Sequence, residues 1–451
     1  MGKGGQLVGS KGSERAPAAM DGEAKSDMEH LTTPTLLKWA AQYALNQDCR
    51  VLEAKGVKSI TVEKLSRAEL LRFLEPYKGG VLDADRPLCN LPLARPDFKT
   101  KDIEKALLAK NPDIFKHSLV KSFYYLFSDL IMVAVIGMAA YYMDTQGPAM
   151  AYLLWPVYWY AQGAVMTGLW VLAHECGHGG FAKSTAINYW VGTIVHSALL
   201  VPFHSWRITH KKHHANTGSC EHDEVFAPAT RTSTNGEIME TPMAQAAGIF
   251  LMLTIGWVPG YLVFGLTGPQ KYKGKNVNHF SADAAFFEPK DRDLVLNSIN
   301  VWMVAFAVLC YGIYELGFRN VAFYYLIPYT IVNYHLVLIT YLQHTDVYMP
   351  HFRGEEWDFL RGALCTVDRS FGPLLDHCFH HIVDTHVCHH IFSTMPFYNA
   401  AEATEAFKHV LGDYYLKDET PIGRALWRSF SNCQFVEDDG DVVFYKNSLK
   451  K

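Results

Sequence analysis

The chain has 451 residues, a formal net charge of −4 and 49% hydrophobic residues. That length allows one large domain or a few small ones, and no Lys/Arg run is long enough to mark a nucleic-acid binder. Nine scattered cysteines without a C-x-x-C read as reduced thiols facing a cytosolic environment, not as a disulfide framework.

Residues 1–32 are rich in Gly, Ser, Ala and charge and are expected to form a disordered tail. They contain no apolar run of the secretory type, and Asp21, Glu23, Asp27 and Glu29 argue against an organelle transit peptide. Met1-Gly2 opens the chain, but Gln6 replaces the Ser or Thr that myristoylation prefers. Residues 33–117 read as a cytosolic helical region, with periodic patterns such as 62–71, and they lack a His-Pro-Gly-Gly haem signature.

Residues 118–345 hold the long apolar segments. Segments 122–143 and 149–173 each reach the ~20 residues that a membrane helix needs. Lys99, Lys101, Lys105, Lys110, Lys116 and Lys121 precede the first, and the turn at 144–148 has no Lys or Arg. The positive-inside rule therefore puts the N-terminal side in the cytosol and the turn on the far side. Segments 294–316 and 321–342, joined by residues 317–320, make a second hairpin. Segment 244–267 is expected to dip in or lie flat, because Pro259-Gly260 interrupts it. Segment 188–203 is short and is expected at the interface. The fold expected is all-α: four transmembrane helices in two hairpins, interfacial helices, and a cytosolic helical cap that carries a di-metal histidine site. Residues 346–451 form the cytosolic C-terminal region.

All but two of the 21 histidines lie from His174 onward. Eight fall in three clusters: His174 and His178; His210, His213 and His214; His386, His389 and His390. Positions i, i+3 and i+4 share one helix face, so each cluster can aim its imidazoles at one point. Neighbours such as His213-His214 and His389-His390 point about 100° apart, so each pair can reach two metals or bracket one. Eight imidazoles exceed the four ligands of a tetrahedral zinc and suit two metal ions. Interfacial histidines that merely snorkel to water do not explain the repeated spacing. Few carboxylates accompany the clusters, and no flavin or haem motif is present. Oxidation chemistry would therefore take its electrons from outside the chain. A site beside the membrane makes an acyl chain the natural substrate.

The motifs have a family look. Ala173-His174-Glu175-Cys176-Gly177-His178 and His210-Lys211-Lys212-His213-His214-Ala215-Asn216-Thr217-Gly218 resemble the membrane fatty acid desaturases. Asp384-Thr385-His386-Val387-Cys388-His389-His390-Ile391-Phe392-Ser393-Thr394-Met395-Pro396 is similar to the oleate (delta-12) branch. So are Val201-Pro202-Phe203-His204-Ser205-Trp206-Arg207, Leu342-Gln343-His344-Thr345-Asp346 and residues 362–370. The resemblance covers about 115–445. Gly179-Gly180 departs from it, because members often carry a polar or His residue there.

The resemblance implies two iron ions, O2 as co-substrate, and electrons from cytochrome b5 and its reductase. It also implies a phospholipid-bound oleoyl substrate and the endoplasmic reticulum membrane, with both termini cytosolic and a homo- or hetero-oligomer possible. The eight histidines carry over as iron ligands, and His344 resembles a ninth. Glu175, Asn216 and Asp384 are candidates to orient ligand imidazoles. Omega-3 desaturases, hydroxylases and conjugases share the scaffold. A His-rich metal transporter is the remote alternative, and it would call for repeats and mid-membrane polar groups.

Overall fold

A computed structural model describes residues 66–68, 95–234 and 237–447. The expected tail at 1–32 and most of the helical pattern at 62–71 lie outside the described residues.

The first hairpin is Leu119–Thr145 and Pro148–His178. Ser118 caps its start by accepting from the Lys121 amide at 3.4 Å. Gly147 turns the chain at φ 107°, and Pro148 opens the return helix. The second hairpin is Arg292–Leu316 followed by Phe318–His344, which is wound more loosely over Ala322–Leu326. The turns of both hairpins meet at the same end of the bundle. Arg319 pairs with Asp144 at 3.6 Å, and the Tyr158 hydroxyl donates to the Tyr324 carbonyl at 2.9 Å. The Trp159 indole donates to the Phe323 carbonyl at 3.0 Å. Hairpin geometry then brings His174 and His344 to the opposite end. Leucine, valine and tyrosine side chains stand exposed along Leu119–Thr145 and Arg292–Leu316, as a lipid-facing surface requires.

Length and hydropathy alone select a slightly different four helices. They include Pro242–Val263 and leave out Pro148–His178, whose Trp, Tyr and Gln content dilutes its apolar character. Contacts at both ends of Pro242–Val263 tie it to the histidine-bearing end of the bundle. Near its start, Gln245 accepts from Ser431 of the C-terminal region at 3.0 Å. At its end, Tyr261 donates to Thr209, next to His210, at 3.0 Å. Both ends lie on the histidine-bearing side. The turn inside is a π-helix over Gly256–Val263, where Pro259 removes a helix donor. The interfacial stretch appears as Thr185–Ala198, bent by 109° from Phe203–Asn216.

The cap packs on that same side. Ile103 and Leu107 of Thr100–Lys110 join Ala403 and Phe407 of Ala400–Leu411 in one core. The strands described are two residues long, His351–Phe352 antiparallel to Val442–Val443.

Candidate metal centre

Four helices supply the histidines. His174 and His178 end Pro148–His178, and Phe203–Asn216 carries His210, His213 and His214. His344 is the last residue of Ile327–His344, and His386–Ile391 carries His386, His389 and His390. All nine converge. His174, His178, His210, His214 and His389 form one group, whose nearest ligand atoms lie within 4.8 Å of one another. His213, His344 and His390 form a second. His386 joins the second, with its Nε2 2.9 Å from the His344 Nε2.

The ring nitrogens crowd one another, and hydrogen bonds between imidazoles leave several of them unpaired. The His174 Nε2 lies 2.8 Å from the His210 Nε2 and 3.3 Å from the His178 Nε2. Both ring nitrogens of His214, and the Nε2 atoms of His389 and His390, are buried with no hydrogen-bond partner. Such orphaned lone pairs are costly unless a cation sits among them. Burial, reinforced by the neighbouring imidazoles, pushes His210, His214, His386, His389 and His390 well below the usual histidine range. The rings are therefore neutral, as metal ligands must be. The donor set fits two nitrogen-bound metal ions.

Outer partners orient the rings. The Glu175 carboxylate lies 3.0 Å from the His174 Nδ1 and 3.5 Å from the His389 Nδ1. It is the one expected orienting group that touches the nine. Asn216 donates instead to the Lys212 carbonyl of its own helix at 2.8 Å. Asp384 pairs with His381, outside both groups, at 3.1 Å. Helical and turn bonding engages those two side chains locally, so neither reaches a ring of the nine.

Two orienting residues escaped the sequence reading. Asp223 accepts from the His213 Nδ1 at 2.8 Å, and the Thr217 hydroxyl lies 3.2 Å from the His390 Nδ1. Burial works against the Asp223 carboxylate, but His213 and the amides of Phe226 and Val225 hold it below the usual range. The only signal was an acidic residue in the loop after the second cluster. Asp368, in a motif quoted for the resemblance, accepts from the Val387 amide at 2.8 Å and so pins the start of His386–Ile391.

The Gly179-Gly180 departure also has a physical reason. Gly179 caps its helix at φ 83°, and a side chain there would face Asn188, not the imidazoles. A Cβ at Gly180 would lie 2.7 Å from the Glu175 carboxylate.

Replacing Asp223 by alanine frees the His213 ring. Metal affinity is expected to fall by roughly 10–100-fold, the usual cost of an outer partner. Competition against a chelator measures it, and wild-type affinity would refute the orienting role.

An apolar cavity of about 280 Å³ opens onto both groups. Trp170, Val171, Trp257, Leu336 and Val337 line it, and His174, His210, His213, His344 and His386 stand in its wall.

Residues 153–420 match the family model described as fatty acid desaturase. The chain is 45% identical over 371 residues to the Delta(12) fatty acid desaturase of Mortierella isabellina, covering 78% of this chain and 91% of that protein. It is 42% identical over 368 residues to the Delta(12)-fatty-acid desaturase of Arabidopsis thaliana, covering 80% and 94%. It is 43% identical over 372 residues to the Delta(12) acyl-lipid conjugase (11E,13E-forming) of Momordica charantia, covering 79% and 92%. With the histidine geometry and a match over more than half its length, the chain belongs to the fatty acid desaturase family.

Proposed function

We propose that this protein is an oxygen-dependent acyl-lipid desaturase of the delta-12 type. It converts oleoyl chains of membrane phospholipid to linoleoyl chains. The observation that carries this reading is the apolar cavity ending on imidazoles of both groups. The delta-12 assignment draws on the names of the relatives.

His174, His178, His210, His214 and His389 would hold one iron ion, and His213, His344, His386 and His390 the other. Two iron ions so held would activate O2, the oxidant that acid–base groups lack against an unactivated C–H bond. The chain's own residues do the rest. Trp170, Trp257 and Leu336 bind methylenes and exclude water. Glu175, Asp223 and Thr217 fix ring tautomers by engaging the Nδ1 atoms, which turns the Nε2 lone pairs inward. In the net reaction two neighbouring carbons lose one hydrogen each. O2 is reduced to two waters with two external electrons and two protons. Cytochrome b5 and its reductase are the donors in this reading. The endoplasmic reticulum membrane is the site, and both termini face the cytosol.

Expression in yeast lacking linoleate tests the proposal. Gas chromatography should show linoleate formed from endogenous oleate, and purified protein should carry about two irons per chain. The likeness to a conjugase supplies the second reading, and conjugated dienes as the main product would favour it. Unchanged lipids, with the protein present in the membrane, would overturn the enzyme class. Metal uptake by those cells would instead favour a transporter.

A further inference from the structure

The π-helical segment Gly256–Val263 puts two glycines, Gly256 and Gly260, in the wall of the apolar cavity. They differ in kind. A Cβ at Gly260 would lie 3.1 Å from the Ile255 carbonyl oxygen, so the backbone itself crowds that position. A Cβ at Gly256 would meet Val337 at 3.6 Å and Met252 at 3.8 Å, which are ordinary contacts. The backbone at Gly256 has φ −64° and ψ −30°, a conformation open to any L residue. Glycine weakens a helical segment relative to alanine. Neither sterics nor backbone geometry requires it at 256, and the space that a side chain would fill is cavity.

Its depth follows from the facing helix. Val337 precedes His344 by seven residues on Ile327–His344, about 10.5 Å at ~1.5 Å per residue. That direction leads away from the histidine-bearing end into the apolar layer. Met252, Trp257, Leu336 and Val337 surround the position without a charged group. An ester and its polar head group are costly to bury there, whereas a terminal methyl is not.

We infer that Gly256 is a specificity-determining residue. Its bare backbone, opposite Val337, sets the room for the methyl-terminal part of the acyl chain beyond the reacting carbons. The inference rests on the proposed use of this cavity for the acyl chain.

Oleoyl and palmitoleoyl chains test it, because they match from the carboxyl end past the reacting carbons and differ by two methylenes at the methyl end. Wild type, Gly256→Ala, Gly256→Leu and Gly256→Leu with Val337→Ala are to be expressed in yeast supplied with both chains. Gly137→Leu is the control, since a Cβ there meets nothing within 4 Å. Gly256→Leu should lower conversion of the eighteen-carbon chain about tenfold relative to the sixteen-carbon chain. Gly256→Ala should shift the ratio the same way by less. Val337→Ala in the leucine background should restore the ratio, and Gly137→Leu should leave it unchanged. Equal loss for both chains, or an unchanged ratio, overturns the inference. If the leucine variant is missing from the membrane, the ratio of the alanine variant decides. A wild type that converts neither chain sinks the proposed function and this inference together. An active wild type with unmoved ratios in the variants sinks only the inference.

Discussion

Replacing His344 by alanine should reduce linoleate to below about 1% of wild type, a larger loss than the ~10–100-fold typical of an outer partner. Replacing His335 by alanine should leave product within about tenfold, below that range. Both residues lie on the Ile327–His344 helix and both are buried. Nine residues separate them, about 13.5 Å at ~1.5 Å per residue, so they cannot share one ion. His344 stands 2.9 Å from His386 and within the His213 and His390 group. His335 bonds the Thr167 hydroxyl through its Nδ1 at 3.1 Å and packs its ring on Phe379; its Nε2 has no hydrogen-bond partner, but it belongs to neither histidine group. Iron analysis at matched expression separates the two roles. His344→Ala should lose iron and His335→Ala should retain it. Equal iron loss in both would mean that the register of this helix is misassigned.

Arg369→Leu should cost about 3–5 kcal/mol of stability, the usual result of leaving buried charges without their partner. The Arg369 side chain is fully buried. Its guanidinium donates to Asp346 at 2.6 Å, Asp418 at 2.6 Å, the Tyr348 hydroxyl at 2.9 Å and the Leu342 carbonyl at 2.8 Å. Arg428 bonds the same two carboxylates, at 2.5 Å and 2.6 Å. Asp346 follows His344 by two residues, and the Arg369 amide donates to Val383, just before the third cluster, at 2.8 Å. The network thus clamps His344 to the segment that delivers His386. Leucine would leave two facing carboxylates with one guanidinium.

Burial alone would raise the Asp418 carboxyl, but Arg369 and Arg428 more than reverse this and hold it well below the usual range. A depressed carboxyl stabilises the fold fully above its unfolded value of about 4, and the contribution is lost as pH falls from there toward the depressed value. Arg369→Leu should therefore weaken most of this pH-dependent stability. Thermal unfolding in detergent from neutral pH, through about 4, down to about 2 measures both effects. A wild-type melting profile would show that the clamp contributes nothing.

The residues themselves carried the local periodicities. The i, i+3, i+4 spacing put two or three imidazoles on each helix face, and all of them reach the site. Glu175 was legible because it adjoins His174 in sequence and stays beside it in space. The hairpin turns at 144–148 and 317–320 were legible from loop composition, and Arg319–Asp144 joins them.

Only tertiary structure decided how the pairs divide. His213 and His214 are neighbours on one helix, yet they enter different groups, as do His389 and His390. An angle of about 100° permits either splitting or bracketing. The choice depends on where His344 and His178 stand, and chain spacing does not contain that information. Asp223 and Thr217 likewise become ring partners only when a loop folds back onto the site, whereas Asn216 and Asp384 found local partners first. The placement of Pro242–Val263 follows the same logic. Its composition suits a span, but Gln245 and Tyr261 fasten both ends to the side where the histidines lie. Periodicity is a property of neighbours in sequence, while ligand grouping and membrane course are set by contacts between distant segments.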